Sequence, residues 1–159
     1  MNYKLVPMNK EYANEIAYNW KYNGIYSFYD MTADEDDLRE FLNENSWTDH
    51  YFAVLDDKSE LVGFYSFFFE CGIMSIGFGL KPELTGRRSG SKFVIVGINF
   101  GVEKFNYKQN CIMLAVASFN KRAIKTYEKI GFQSVEKYMQ KTNGGEFEFI
   151  KMKKGRILE

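Results

Sequence analysis

Two stretches of this 159-residue chain carry residue types at a spacing that could do chemistry. The first is Ile76-Gly77-Phe78-Gly79-Leu80-Lys81-Pro82-Glu83-Leu84-Thr85-Gly86-Arg87-Arg88-Ser89-Gly90-Ser91. It reads as a strand ending at Leu80, a Pro-marked turn, and a loop of Gly, Ser and Arg opening a helix at about Ser89. That order brings unpartnered backbone N–H groups and the positive end of a helix dipole to one point, which attracts anions and phosphates above all. The second stretch is Asn120-Lys121-Arg122-Ala123-Ile124-Lys125-Thr126-Tyr127-Glu128-Lys129-Ile130-Gly131-Phe132. Asn120 and Tyr127 are two helical turns less about 20° apart, so they share a face with Ala123 and Ile124. A phenol and an amide on one face can donate to a bound group. The structural alternative places Tyr127 in the core and makes Asn120 a helix cap.

Other chemistries lack material. The chain has no Gly-x-x-x-x-Gly-Lys-Ser/Thr, Gly-x-Gly-x-x-Gly, His-Glu-x-x-His or Cys-x-x-Cys. His50 is the only histidine and reads as a solvated loop residue, so neither a Ser-His or Cys-His nucleophile nor a zinc site is expected. Lys+Arg 21 against Asp+Glu 21 gives a formal net charge of zero, which offers no field to nucleic acid or an anionic membrane. Any polyanion must be held by local design. With 45% hydrophobic and 18% aromatic residues the chain can fill one core, and a single domain over 1–159 is expected. Cys71 and Cys111 lie in or beside apolar runs and are expected to be buried free thiols. Residues 1–7 lack the apolar core of a signal peptide, and no run approaches the roughly 18 residues that span a bilayer, so the expectation is a cytoplasmic protein away from membranes.

The elements that must hold the two stretches read in the order β-α-α-β-β-β-α-β-α-β-β. A strand over 3–7 precedes a helix over about 11–20 that buries Ala13, Ile16, Ala17 and Trp20. Residues 21–31 form an aromatic, Gly-broken loop. Thr32 to Glu35 has capping-box spacing and opens a second helix over about 33–44. Strands at 51–55 and 61–70 pair as a hairpin, and the second, apolar at nearly every position, suits a central strand. A strand over 72–80 leads into the first stretch. The helix after it contains Gly97 and Gly101, which cost about 1 kcal/mol each relative to Ala and suggest a close approach to another element. A strand at 111–118 follows, with Ser118 expected to cap the fourth helix, which ends at Gly131-Phe132. Two last strands flank a turn at Thr142-Asn143-Gly144-Gly145.

The element order, the Pro turn with Thr85-Gly86-Arg87-Arg88-Ser89-Gly90, and Asn-x-x-Ala-x-x-x-Tyr-x-x-x-Gly-Phe from Asn120 to Phe132 resemble the GNAT superfamily of acyl-CoA-dependent N-acetyltransferases. The resemblance covers nearly the whole chain. It implies an α/β (α+β) fold: a mixed, mostly antiparallel sheet of about seven strands with four helices, splayed into a V between strands four and five. It also implies acetyl-CoA as co-substrate and no metal. Backbone groups of Phe78, Gly79 and Leu80 would pair with the pantetheine arm, and the amides of Gly86, Arg87, Arg88, Ser89, Gly90 and Ser91 would hold the pyrophosphate. Asn120 would bond the cofactor arm, and Tyr127 would stand beside the sulfur. Attack of an amine on a thioester expels a thiolate, and a phenol of pKa near 10 can protonate one whose conjugate acid lies near 8.5 only with help from geometry.

Two departures from the family pattern stand out. Thr85 replaces the Gln/Arg that opens the family's loop, and Arg88 replaces its first glycine. A side chain there costs about 1–2 kcal/mol if the backbone is left-handed, unless Arg87 and Arg88 themselves reach phosphate. Where some relatives that acetylate protein N-termini carry a glutamate, this chain has Ala115. Glu70, at the end of the central strand, is the candidate base, directly or through water; the alternative is a salt bridge at the hairpin edge. Tyr22, Tyr26 and Tyr29 are candidates to line an acceptor pocket, with core filling as the other reading. The expectation is an N-acetyltransferase acting on a small-molecule or peptide amine through a ternary complex, as a monomer or homodimer. A non-catalytic acyl-CoA-binding regulatory module is the competing class, and a structural α/β protein with a peptide in its cleft is a third.

Overall fold

The computed structural model describes residues 2–155. Seven strands form one sheet in the order β1-β2-β3-β4-β5-β7-β6. They are β1 Lys4–Pro7, β2 Tyr51–Leu55, β3 Leu61–Glu70, β4 Ile73–Leu80, β5 Cys111–Ala117, β6 Gln133–Thr142 and β7 Gly145–Gly155. Four α-helices accompany them: α1 Lys10–Asn19, α2 Glu35–Leu42, α3 Gly90–Lys104 and α4 Lys121–Lys129. The sheet is mixed, the element order is the expected one, and β4 and β5 run parallel. Among the described residues no helix is long and apolar enough to cross a membrane. The chain divides into two compact units, one of Met1–Ser66, Phe78–Thr85 and Thr142–Gly145, the other of Phe67–Gly77, Gly86–Lys141 and Glu146–Glu159.

In the first unit β1 and β2 pair antiparallel, as do β2 and β3, with Ala53 opposite Val6 on one side and Phe64 on the other. Burial of every residue from Leu61 to Phe67 accounts for the unbroken apolar run in β3, because alternation is lost when both faces are covered. The Asn9 side chain accepts from the Tyr12 amide and starts α1, which buries Ala13, Ile16 and Ala17. Trp20, Phe41, Trp47 and Phe64 join that core, and the Trp47 indole is satisfied by the Phe41 carbonyl at 2.9 Å. Two sequence expectations fail here. The cap of α2 is Asp34, whose side chain accepts from the Asp37 amide at 2.9 Å, so the helix begins at Glu35. Thr32, expected in the capping box, instead accepts from the Lys21 ammonium. A carboxylate at a helix N-terminus out-competes a hydroxyl because it adds a full charge to the dipole interaction. The aromatic segment, expected as loop, folds into 3-10 helices at Gly24–Tyr29 and Met31–Ala33, neither with a buried residue.

In the second unit β5 pairs antiparallel with β7 from Cys111↔Gly155 to Ala117↔Phe149. Its parallel ladder with β4 holds only Met74↔Ile112 and Ser75↔Met113, so the pairing ends while β5 runs on to Ala117. Gly101 explains itself: a Cβ there would lie 2.4 Å from the Phe67 ring, so the glycine lets α3 approach β3. The Tyr107 hydroxyl donates to the Cys111 carbonyl at 2.6 Å and accepts from the Met74 amide at 3.1 Å, tying the starts of the two parallel strands together. Neither cysteine is buried as expected; Cys71 is exposed and Cys111 half-buried. Cys71 belongs to the β3–β4 turn, where it and Gly72 adopt φ of 51° and 79°, the paired left-handed geometry of a two-residue hairpin turn.

Candidate active site

In the first unit, β4 ends at Phe78-Gly79-Leu80. A Cβ on Gly79 would sit 2.3 Å from the Phe64 ring, so only glycine lets the two strands pack there. The Lys81 amide donates to the Val62 carbonyl at 2.8 Å and fixes the exit of the strand. The Leu80 carbonyl accepts the Tyr22 hydroxyl at 2.8 Å, while the Tyr22 amide donates to Asp30 at 2.9 Å. Burial first, then the charges of Asp30 and Glu83, push the Tyr22 phenol well above its ordinary pKa, so it stays a hydrogen-bond donor beyond the pH at which a free phenol ionises. Tyr22 therefore braces the end of β4, a contact the sequence did not suggest. Tyr26 is half-buried, and Tyr29 is exposed with Phe28 edge-on at 5.3 Å.

In the second unit the loop into α3 turns left-handed at Gly86, φ 74°, and again at Arg88, φ 62°. The left-handed requirement at the position of the family's glycine is thus present, and here an arginine meets it. Ser89 occupies the N-cap position of α3 without a side-chain cap, and the first turn carries no acidic residue. A Cβ on Gly86 would lie 3.3 Å from the Arg122 guanidinium, and one on Gly90 would lie 3.7 Å from the Thr126 methyl. One i,i+4 face of α4 therefore packs on the loop. Arg122 is the residue that sequence reasoning missed, because attention went to the face bearing Asn120 and Tyr127. The signal was the i,i+4 spacing of Arg122 and Thr126 on the helix, which places a cation and a short side chain on one face.

The local chemistry of α4 fixes its two candidate residues. Asn120 is the N-cap, its side-chain oxygen accepting from the Ala123 amide at 3.1 Å. Ser118, expected as the cap, is not; its hydroxyl is buried without a partner among the described residues. At the other end Gly131, φ 106°, closes a Schellman motif: the Gly131 amide donates to the Glu128 carbonyl at 3.1 Å and the Phe132 amide to the Tyr127 carbonyl at 3.0 Å. The Lys154 ammonium adds a bond of 2.6 Å to the Ile130 carbonyl. The motif carries its usual apolar contact, Phe132 edge-on to Tyr127 with centroids 6.2 Å apart. Tyr127 is 9% exposed, its backbone and ring both held by the helix end. Glu70 is exposed at the β3–β4 turn, beside the start of β4 rather than its Gly79-Leu80 end. Ala115 is exposed on β5 opposite Lys151 and supplies no carboxylate.

Residues 3–133 match the family model described as an acetyltransferase (GNAT) domain. The chain belongs to the GNAT family. It is an acyltransferase by that membership, and the resemblance seen in the Asn120 to Phe132 segment is confirmed. Solved GNAT structures share the fold over nearly their whole length. A spermidine N-acetyltransferase from Vibrio cholerae in complex with CoA and spermine is similar at a TM-score of 0.73 and 20% identity, covering 96% of this chain and 95% of that one. A GNAT-family acetyltransferase from Bacillus anthracis gives 0.70 and 14%, with 96% and 94% covered. A ribosomal-protein-S5-alanine acetyltransferase from Vibrio fischeri gives 0.63 and 18%, with 96% and 92% covered. No curated protein sequence matches the chain.

Proposed function

We propose that this GNAT acetyltransferase uses acetyl-CoA and passes the acetyl group directly to a primary amine within a ternary complex. Bound acetyl-CoA supplies an activated acetyl thioester; the chain supplies the grip, the proton and the orientation. Its phosphates are assigned to the amides of Gly86 to Ser91, with Arg87, Arg88 and Arg122 as the cations. The fit is supported by two left-handed turns in the loop, an arginine against Gly86 and an acid-free first turn of α3. Phe78 to Leu80 is assigned to the pantetheine arm. Asn120 is assigned to the same arm through its side-chain Nδ2, since Oδ1 caps the helix. The buried Ser118 hydroxyl beside it is a further group that such an arm would satisfy.

Tyr127 is assigned to protonate the departing thiolate, and its fixing by the Schellman turn is the observation that carries the catalytic reading. An alkyl amine of pKa near 10.4 is neutral in about one molecule in a few thousand at pH 7, so a proton must leave it before attack. Glu70 is the candidate acceptor of that proton through water, its place at the start of β4 leaving direct transfer without support. The acceptor is assigned to the class of small polycationic amines. Residues 30–44 hold seven carboxylates against one cation, Arg39, a local field suited to such a substrate in a chain of zero net charge. The Vibrio cholerae neighbour, named for spermidine and seen with spermine, supports the same class. Ala115, where some relatives carry a glutamate, favours the alternative of a non-catalytic acyl-CoA-binding module.

The test is CoA release across an amine panel with melting followed in parallel. Acetyl-CoA at 100 times its dissociation constant should stabilise the fold by about 2.7 kcal/mol. Tyr127→Phe should lower kcat with acetyl-CoA affinity nearly intact, and unchanged turnover removes the assigned role. Stabilisation without CoA release from any amine decides for the binding module. Glu70→Gln should lose rate most at low pH, and an unaltered pH profile dismisses that base.

A further inference from the structure

The turn between β6 and β7 belongs, by its hydrogen bonds, to the segment that carries the aromatic residues. The Asn143 amide donates to Asp34 Oδ2 at 2.8 Å, and the Thr142 hydroxyl lies 3.4 Å from the same oxygen. The Asn143 side chain donates to the Phe28 carbonyl at 2.8 Å. These ties span more than a hundred residues of chain and lie within one compact unit. Asp34 uses both carboxylate oxygens: Oδ1 caps α2 through the Asp37 amide, and Oδ2 holds the turn. Asn143 and Gly144 take φ of 52° and 75°, so an Asn-Gly pair presents that amide without strain.

The segment so held has one apolar anchor, Met31, which is partly buried against the core. Neither 3-10 helix, Gly24–Tyr29 or Met31–Ala33, buries a residue. Polar ties add to that contact: Tyr22 to Asp30, Lys21 to Thr32, Asn143 to Phe28, and the turn to Asp34. A segment with few buried apolar contacts opens locally when a hydrogen bond is removed, while the core stays folded.

We propose that the Thr142-Asn143-Gly144 turn is a latch, in which Asn143 and Asp34 are positioning residues that hold the Tyr26 and Tyr29 segment in the pose that receives the amine. This role rests on the acetyltransferase reading given above, whereas the latch itself does not. Two variants cut it without touching core or cofactor residues. Asn143→Gly keeps the left-handed turn and the backbone N–H to Asp34 but deletes the bond to Phe28. Asp34→Asn keeps one oxygen to cap α2 and places an amide nitrogen where the second oxygen accepted.

Deuterium exchange of amides 22–33 reads the latch directly. Both variants should exchange faster there than wild type, with exchange in β2 and β3 unchanged. With putrescine as the probe amine, Asn143→Gly should raise the amine KM about fivefold, the worth of one ordinary hydrogen bond, and leave the acetyl-CoA KM as it was. Unchanged exchange over 22–33 in both variants overturns the latch. Faster exchange with an unaltered amine KM overturns the positioning role, as does an equal loss in both KM values, which would mark general destabilisation. If wild type releases no CoA with any amine, the transferase reading falls instead, and exchange alone decides the latch.

Discussion

Arg88 is the sharpest place to test how this phosphate loop works, because one residue combines a strained backbone with a useful charge. Its φ of 62° lies in the left-handed region, which costs an L-residue about 1–2 kcal/mol. Glycine removes that cost but has more freedom to lose on folding, about 0.5–1 kcal/mol. Arg88→Gly should therefore gain about 0.5–1 kcal/mol net, a rise in Tm of about 1–4 °C for a domain of this size. Arg88→Ala loses the same guanidinium yet keeps a Cβ and hence the strain, so its Tm should not rise. A charge-assisted bond to phosphate is worth about 1.5–3 kcal/mol, and for an exposed arginine the lower end applies, so both variants should weaken acetyl-CoA about tenfold. Calorimetric melting without ligand and titration calorimetry with acetyl-CoA separate the two effects. If Arg88→Gly melts no higher than Arg88→Ala, the left-handed turn carries no strain. If neither variant loses affinity, Arg88 is a surface charge and the loop binds by its amides alone.

Three further outcomes follow from the geometry. Gly131→Ala places a Cβ 2.9 Å from the Lys154 ammonium at φ 106°, and should lower stability by about 1–2 kcal/mol; an unchanged Tm means that the Schellman turn is dispensable. Gly79→Ala drives a Cβ to 2.3 Å from the packed Phe64 ring and should cost about 1–3 kcal/mol, together with acetyl-CoA affinity, both read by melting with and without ligand. Alkaline titration should unfold the chain cooperatively. Burial, then Glu40 and Asp37, pushes Tyr51 up to about 12, and burial raises Tyr22 and Tyr65 further. Phenols that ionise at higher pH when folded stabilise the fold fully below about pH 10, and that contribution is lost as pH climbs through their folded values. Tyrosinate absorbance should rise together with loss of the helical signal; titration of these phenols near pH 10 in an intact fold refutes the burial argument.

What the sequence disclosed and what it hid divide along a physical line. The Asn143-Gly144 turn, the Gly131-Phe132 helix end and the unbroken apolar run of β3 were legible, because each is decided by backbone preferences and burial within a few residues. The residues assigned to acetyl-CoA sit on those locally determined features: a strand end, a left-handed loop, a capped helix. The residues around the aromatic segment are decided by partners far along the chain. Tyr22 meets Leu80 58 residues away, and Asn143 meets Phe28 115 residues away. No periodicity encodes such pairs, so the sequence offered Tyr22 as a pocket-lining or core residue without its bond to Leu80, and Asp34 as the third residue of a capping box when it is the cap and the anchor of a distant turn. A cofactor shared by a family can be held by local motifs and recognised from them. On the proposed reading the acceptor is chosen by surfaces that long-range ties assemble, and a change at Asp34 or Asn143 would re-aim that surface while leaving the cofactor motifs untouched. That asymmetry is why the reaction class was readable from the sequence and the amine was not.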